Sequence, residues 1–252
     1  VLIGDQGSGK TVKTVCLVEY IYDDYPVRTI NNNFEGSMRK RYPWKNIIES
    51  KETEYVDENE AYEASLKSSG KVTIFTEIRK NRMIESFLNS GRRGSKFALT
   101  SMHHNEAQKV PYELAKGLMK DGLHRQISDA IEDVLEVLKI VEEVVVTEDG
   151  RRVYNIYELR NVTPKFESDI YKSIDRLTST EDVMKVIAKS LVRLAQPVNY
   201  EVVPIVVYDK MTDSYLKIND LSEELILQLQ RNIKLRDESL LNLFQMLPKV
   251  SL

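Results

Sequence analysis

An α/β fold with a mainly parallel sheet flanked by helices is predicted by three observations. Short apolar runs at 1–3, 27–31, 71–76 and 96–101 read as strands, and segments of helical spacing lie between them. The first run passes through a glycine-rich stretch, Gly4-Asp5-Gln6-Gly7-Ser8-Gly9-Lys10-Thr11, straight into the amphipathic segment 12–22. Beyond residue 110 the alternation gives way to hairpin signatures, which predicts a C-terminal α+β part.

Taken in order, the strand 1–3 leads into the complete phosphate-binding pattern Gly-x-x-x-x-Gly-Lys-Thr. Gly4, Gly7 and Gly9 allow backbone angles and approaches that a Cβ would block. The loop amides, Ser8 among them, then ring the phosphates at the positive end of the following helix. Lys10 reaches the β- and γ-oxygens, and the Thr11 hydroxyl suits a Mg²⁺ ion. A P-loop NTPase that takes ATP and Mg²⁺ is therefore expected.

The helix closes at Asp23-Asp24-Tyr25-Pro26, 27–31 is a short strand, and Asn31-Asn32-Asn33 is a loop. Segment 34–46 carries the basic cluster Arg39-Lys40-Arg41 and the single tryptophan, Trp44. Residues 58–67 read as a helix stopped by Ser68-Ser69-Gly70, and the buried strand 71–76 ends at Glu77. Met83, Phe87 and Leu88 share one side of a helix over 82–90, which Gly91-Arg92-Arg93-Gly94 breaks before the strand 96–101.

A boundary near residue 110 separates an ATPase core, 1–110, from a region 111–252 that either completes the core or forms a small second domain. In the latter, Ile127, Ala130, Ile131, Val134, Leu135, Leu138 and Val141 recur at three and four, which predicts one helix over 123–142. Runs at 144–147 and 152–159 flank Glu148-Asp149-Gly150 as a hairpin. Helices are expected at 167–177 and 181–195, a second hairpin over 202–208 and 215–218, and one or two closing helices over 221–247.

Composition sets limits on function. A hydrophobic share of 42% and a charged share of 30% over 252 residues suit a globular protein with a substantial core. The net charge of −3 argues against a basic coat for nonspecific nucleic-acid binding. It leaves room for a local basic channel, with Arg39-Lys40-Arg41 and Arg79-Lys80-Asn81-Arg82 as candidates. The single cysteine, Cys16, excludes an intrachain disulfide and a Cys-based zinc site. No apolar run approaches the roughly 20 residues of a membrane span, and no signal peptide is recognisable. A cytoplasmic setting with no membrane partner is expected, the host cytoplasm if the protein is viral. The chain opens without Met and already inside a strand, as expected of a fragment or of part of a longer protein.

Hydrolysis needs a carboxylate at the tip of a buried strand, to hold Mg²⁺ or polarise water. Val72-Thr73-Ile74-Phe75-Thr76-Glu77 is the candidate, with Thr76 where an Asp is usual. The connection Ile78-Arg79-Lys80 is short, and a loop missing after Glu77 is expected. Thr100 or Ser101, at the tip of the next strand, is placed as a γ-phosphate sensor, with His103 or His104 as further candidates. Arg92 and Arg93 are candidates for stabilising the transferring phosphoryl group across a subunit interface. The adjacent histidines share no face and lack a third ligand, so no metal site is assigned to them, and His124 reads as a helix-surface residue.

The strand ending in Glu77, the segment Asn81-Arg82-Met83-Ile84-Glu85-Ser86-Phe87-Leu88-Asn89-Ser90-Gly91-Arg92-Arg93-Gly94, and Phe97-Ala98-Leu99-Thr100-Ser101 resemble the HerA/FtsK-type P-loop motors. The likeness is greatest to the DNA-packaging ATPases of archaeal and large DNA viruses, and it covers residues 1–105. Met102-His103 stands where that family often has Gln. The resemblance implies a self-associating, hexameric ring that uses ATP to translocate duplex DNA. Two alternatives stay open. One is an AAA-type ATPase with a winged-helix-like DNA-binding module over 167–195 beside the Arg151 hairpin, as in a replication initiator. The other is a small-molecule kinase or regulatory nucleotide-binding protein. Neither an Asn-Lys-x-Asp nor a Leu-Ser-Gly-Gly stretch occurs, which argues against a GTPase and an ABC transporter ATPase.

Overall fold

The computed structural model describes residues 1–31, 37–51, 53–56, 58–66, 70–93, 95–148, 150–162, 179–181, 183, 184, 187, 200–234 and 237–250. Among them, six strands run parallel: β1 (Leu2–Gly4), β2 (Val27–Asn31), β3 (Ile47–Lys51), β4 (Val72–Phe75), β5 (Phe97–His103) and β6 (Ile140–Thr147). Three more, β7 (Gly150–Asn161), β8 (Tyr200–Asp209) and β9 (Ser214–Lys217), continue the same sheet as an antiparallel wing. The order across the sheet is β3-β2-β4-β5-β1-β6-β7-β8-β9. Parallel pairing brings the C-terminal ends of β1, β4 and β5 to one edge, so the loops that follow them gather there.

The helices are α1 (Lys10–Leu17), α2 (Met38–Arg41), α3 (Glu58–Leu66), α4 (Asn81–Arg92), α5 (Val110–Lys120), α6 (Ile127–Val137), α7 (Glu223–Asn232) and α8 (Glu238–Met246). They cover the parallel strands on both faces. Ile74 and Phe75, consecutive on β4, point to opposite sides and enter separate cores. Phe75 packs with Phe87, Leu114, Leu118, Ile131 and Leu135 beneath α4, α5 and α6. Ile74 packs with Val15, Val18, Met38 and Tyr42 on the α1 side.

Two expectations are corrected here. The helix predicted over 123–142 is α6 followed by β6, with the change at Leu138-Lys139. Ile140, Val141 and the run Val144-Val145-Val146 favour extended backbone, and pairing with β1, Leu2 opposite Glu142, outweighs the helical spacing. Gly91 does not break its helix, which runs on to Arg92. A Cβ at Gly91 would lie 2.4 Å from Val137 Cγ1, so the residue serves the close approach of α4 to α6. Strand β3 and helix α5 lie in segments that the sequence pattern leaves unassigned. Both hairpins appear as predicted, at β6–β7 and β8–β9. The helix expected at 167–177, and most of that at 181–195, lie outside the described residues.

The wing is tied to the closing helices by buried charge. Glu158 on β7 receives the Ser222 amide at 3.0 Å and the Ser222 hydroxyl, at the N-terminus of α7. Lys217 on β9 donates to the carbonyls of Phe244, Gln245 and Leu247 at 2.8, 2.9 and 3.1 Å, which caps the C-terminus of α8. Among the described residues no helix is long and apolar enough to cross a membrane.

Candidate nucleotide-binding site

The glycine-rich loop joins β1 to α1 at the C-terminal edge of the parallel strands. Gly4, Gly7 and Gly9 all have positive φ, and Gly9, at φ 97°, stands immediately before the first turn of α1. A side chain there would be strained in any case. The first-turn amides of α1 have no partner within the helix and carry its positive dipole end. Lys10 turns back into the loop. Its ammonium donates to the Gly4 carbonyl at 2.7 Å and the Asp5 carbonyl at 2.8 Å, and it faces His103 Nδ1 at 3.4 Å. Burial holds the Lys10 pKa below the ordinary lysine value, against the opposing pull of Glu77 and Asp5. The Ser8 hydroxyl beside it is buried with no hydrogen-bond partner. A desolvated cation, an unpartnered hydroxyl and a helix N-terminus form a set that fits phosphate oxygens.

Opposite the loop lies the tip of β4. Glu77 Oε1 sits 3.0 Å from His103 Nε2, and its other oxygen takes two contacts from Arg79, at 2.8 and 2.7 Å. An ammonium group can only donate, so His103 Nδ1 accepts from Lys10 and Nε2 carries the proton given to Glu77. Lys10, His103 and Glu77 thus form a continuous chain across the mouth of the loop. The lips of the cleft are joined by Asn105, which donates to Asp5 Oδ1 at 2.7 Å, and by a bridge between Gly4 and His104. Gly4-Asp5-Gln6 on one side and His103 to Glu106 on the other line an open cleft of about 340 Å³.

The residues predicted for this site fall into three groups. Gly4, Gly7, Ser8, Gly9, Lys10 and Thr11 lie in the loop and the first turn of α1, and Glu77 lies just past the end of β4, facing the loop. The three-residue connection Ile78-Arg79-Lys80 leads into α4, with the Ile78 amide held by the Ser101 carbonyl at 2.9 Å. Thr100 and Ser101 do not serve as the polar tip. Thr100 is wholly buried, and the Ser101 hydroxyl donates to the Thr76 carbonyl at 2.7 Å, which braces the backbone just before Glu77. Strand β5 runs two residues further than predicted, and His103, on the Ser101 face by the strand's period of two, takes that place. His104 turns elsewhere, its Nδ1 accepting the Glu106 amide at 3.1 Å.

Arg92 and Arg93 are not brought to the loop within this chain. They end α4, just before β5 begins, at the opposite edge of the sheet. The seven residues of β5 separate them from His103 by about 20 Å. Arg92 is instead paired with Asp133 at 2.6 Å and Glu136 at 2.7 Å on α6, where His124 also meets Asp133 at 3.0 Å. Among the described residues no group of three His, Cys, Asp or Glu side chains is placed to hold a metal ion.

A buried lysine curled into a glycine-rich loop, at the carboxyl edge of a parallel sheet, defines the class: a P-loop NTPase fold. No family model matches the chain, and no curated protein matches it. Solved structures do. The VirB11 ATPase of the Brucella suis type IV secretion system, determined with sulphate, is similar at a TM-score of 0.55 and 20% identity, over 62% of this chain and 47% of that one. The Legionella pneumophila ATPase DotB matches at 0.52 and 15%, over 96% and 59%. The pilus retraction motor PilT with bound ADP matches at 0.52 and 17%, over 73% and 60%. The chain therefore spans about half of the VirB11 chain and about three fifths of the other two. At these identities the likeness establishes the fold.

Proposed function

We propose that this chain binds and hydrolyses ATP as the core of a ring-forming motor, a reading supported by its likeness to a secretion-system ATPase and a pilus retraction motor. The observation that carries the reading is the Lys10–His103–Glu77 chain across the mouth of the phosphate loop. On arrival of a triphosphate, Lys10 exchanges the Gly4 and Asp5 carbonyls for phosphate oxygens, a charge-assisted replacement for neutral acceptors. Glu77 then lies beside the terminal phosphate, where a carboxylate orients the attacking water and takes its proton. His103 fixes the carboxylate through Nε2, and Arg79 fixes its other oxygen. Thr11 and Glu77 are the residues that would hold Mg²⁺, which when bound would neutralise phosphate charge.

Ring assembly brings a neighbouring subunit against this open edge of the sheet, and Arg92 and Arg93 would act only across such a contact. Duplex DNA, the substrate implied by the HerA/FtsK resemblance, has in its favour the exposed cations Arg39, Lys40 and Arg41 on α2. One assay separates these possibilities: ATP turnover by the purified chain, with and without duplex DNA, beside sedimentation to read assembly. The proposal predicts turnover that is lost in Lys10→Ala and indifferent to DNA. DNA-stimulated turnover in a six-fold assembly would move the reading to a DNA motor. Failure of the wild-type chain to bind ATP would overturn both.

A further inference from the structure

Arg151 is the second residue of β7, next to Gly150 at the turn of the β6–β7 hairpin, and its side chain returns across the phosphate loop. Its Nε donates to the Gly7 carbonyl at 3.1 Å. Its Cδ occupies the space beside Gly9, where a Cβ would lie only 2.5 Å away. The hairpin that presents it is itself braced, since Thr147 Oγ1 donates to the Gly150 carbonyl at 2.8 Å and Val146 pairs with Arg151.

A trans peptide is planar, with its carbonyl and amide pointing opposite ways. Holding the Gly7 carbonyl therefore holds the direction of the Ser8 amide, which donates to the Asp5 carbonyl at 3.2 Å and closes the turn within the loop. The Arg151 stem packed against Gly9 restrains the neighbouring peptide at the position with the most conformational freedom. We infer that Arg151 is a positioning residue for the phosphate loop. It sets the loop's shape before any phosphate arrives and links the antiparallel wing mechanically to the nucleotide site. The inference rests on the ATP-binding reading above and assigns the effect to the hydrogen bond and the packed stem, not to charge on the phosphates.

The test uses Arg151→Ala and Arg151→Lys in the same chain. Loss of one such bond is expected to raise both Kd and KM for ATP about tenfold, with kcat held within about twofold. Lys, which can still donate to the Gly7 carbonyl, should recover part of the loss. The salt dependence of ATP binding should be unchanged, and the nucleotide-free melting temperature should stay at the wild-type value. Amide hydrogen exchange at residues 7–9 should quicken in Arg151→Ala without nucleotide. Unchanged exchange would overturn the inference whether or not ATP binds. So would an unchanged Kd in a chain whose wild type binds ATP, or a fall in kcat with a flattened salt dependence, which would make Arg151 a direct phosphate contact. Absence of ATP binding by the wild type alone would instead overturn the proposed function.

Discussion

Two lysines, one in the loop after the central strand β1 and one on the edge strand β9, are buried to the same extent, each 6% exposed, and each turns its ammonium onto backbone carbonyls. Lys217 meets three carbonyls at the end of α8 and also pairs with Asp220 at 2.7 Å. Its donors are saturated and its charge is neutralised within the wing. Lys10 meets two carbonyls and, more distantly, a neutral ring nitrogen, while Glu77 and Asp5 balance it only at longer range. The same burial makes one lysine a structural clamp and leaves the other a cation waiting for an anion.

Substitutions should separate the two roles. Lys10→Met is expected to lower ATP turnover by about a hundredfold or more, the scale of removing a principal electrostatic contact to the reacting phosphates. The same variant should melt no lower than wild type without nucleotide, because a desolvated charge is removed. The sign follows from the lowered pKa. The cost of holding Lys10 charged is present below that pKa and vanishes as pH rises through it, so any gain in melting temperature should shrink in alkaline buffer. Lys217→Met should behave in the opposite way. It takes the ammonium away from three helix-end carbonyls and leaves Asp220 with Lys249 alone, which costs about 3 kcal/mol in denaturant unfolding, with turnover per folded molecule unchanged. A loss of turnover without a loss of stability in Lys217→Met would break the comparison.

Smaller effects sharpen the catalytic side. His103→Ala should reduce kcat about tenfold with little change in ATP affinity, since the ring orients Glu77 and leaves the loop intact. Arg92→Ala should cost under about 1 kcal/mol of stability, because its partners are partly exposed. Turnover within one subunit should be unaffected. If mixtures of Arg92→Ala with Lys10→Ala protein behave as simple sums, Arg92 has no role across a subunit interface.

The sequence made the phosphate loop and most strands legible for a physical reason. Both are local patterns, a glycine spacing and short apolar runs, whose meaning depends on neighbours along the chain. Glu77 was legible as a carboxylate at a strand end. His103 was legible only as one of two adjacent histidines, because choosing between them requires knowing that β5 continues two residues past Ser101. The helix over 123–142 failed at the point where β1, far away in sequence, recruits Ile140 and Val141 into the sheet. Arg151 lay beyond any local signal, since its partner Gly7 is 144 residues away. Arg92 looked catalytic beside a second arginine and a glycine, and only the packing of α4 on α6 shows the acidic pair that holds it.

The most direct test of the central claim is a paired measurement on Glu77→Gln, ATP affinity at equilibrium and hydrolysis in a single turnover. Gln keeps the shape and can still meet His103, but it cannot accept a proton from water. ATP affinity within about threefold of wild type, with hydrolysis slowed by about a hundredfold or more, is the predicted result. Hydrolysis at the wild-type rate would contradict the account, because the carboxylate at the head of the Lys10–His103–Glu77 chain would then have no part in the reaction.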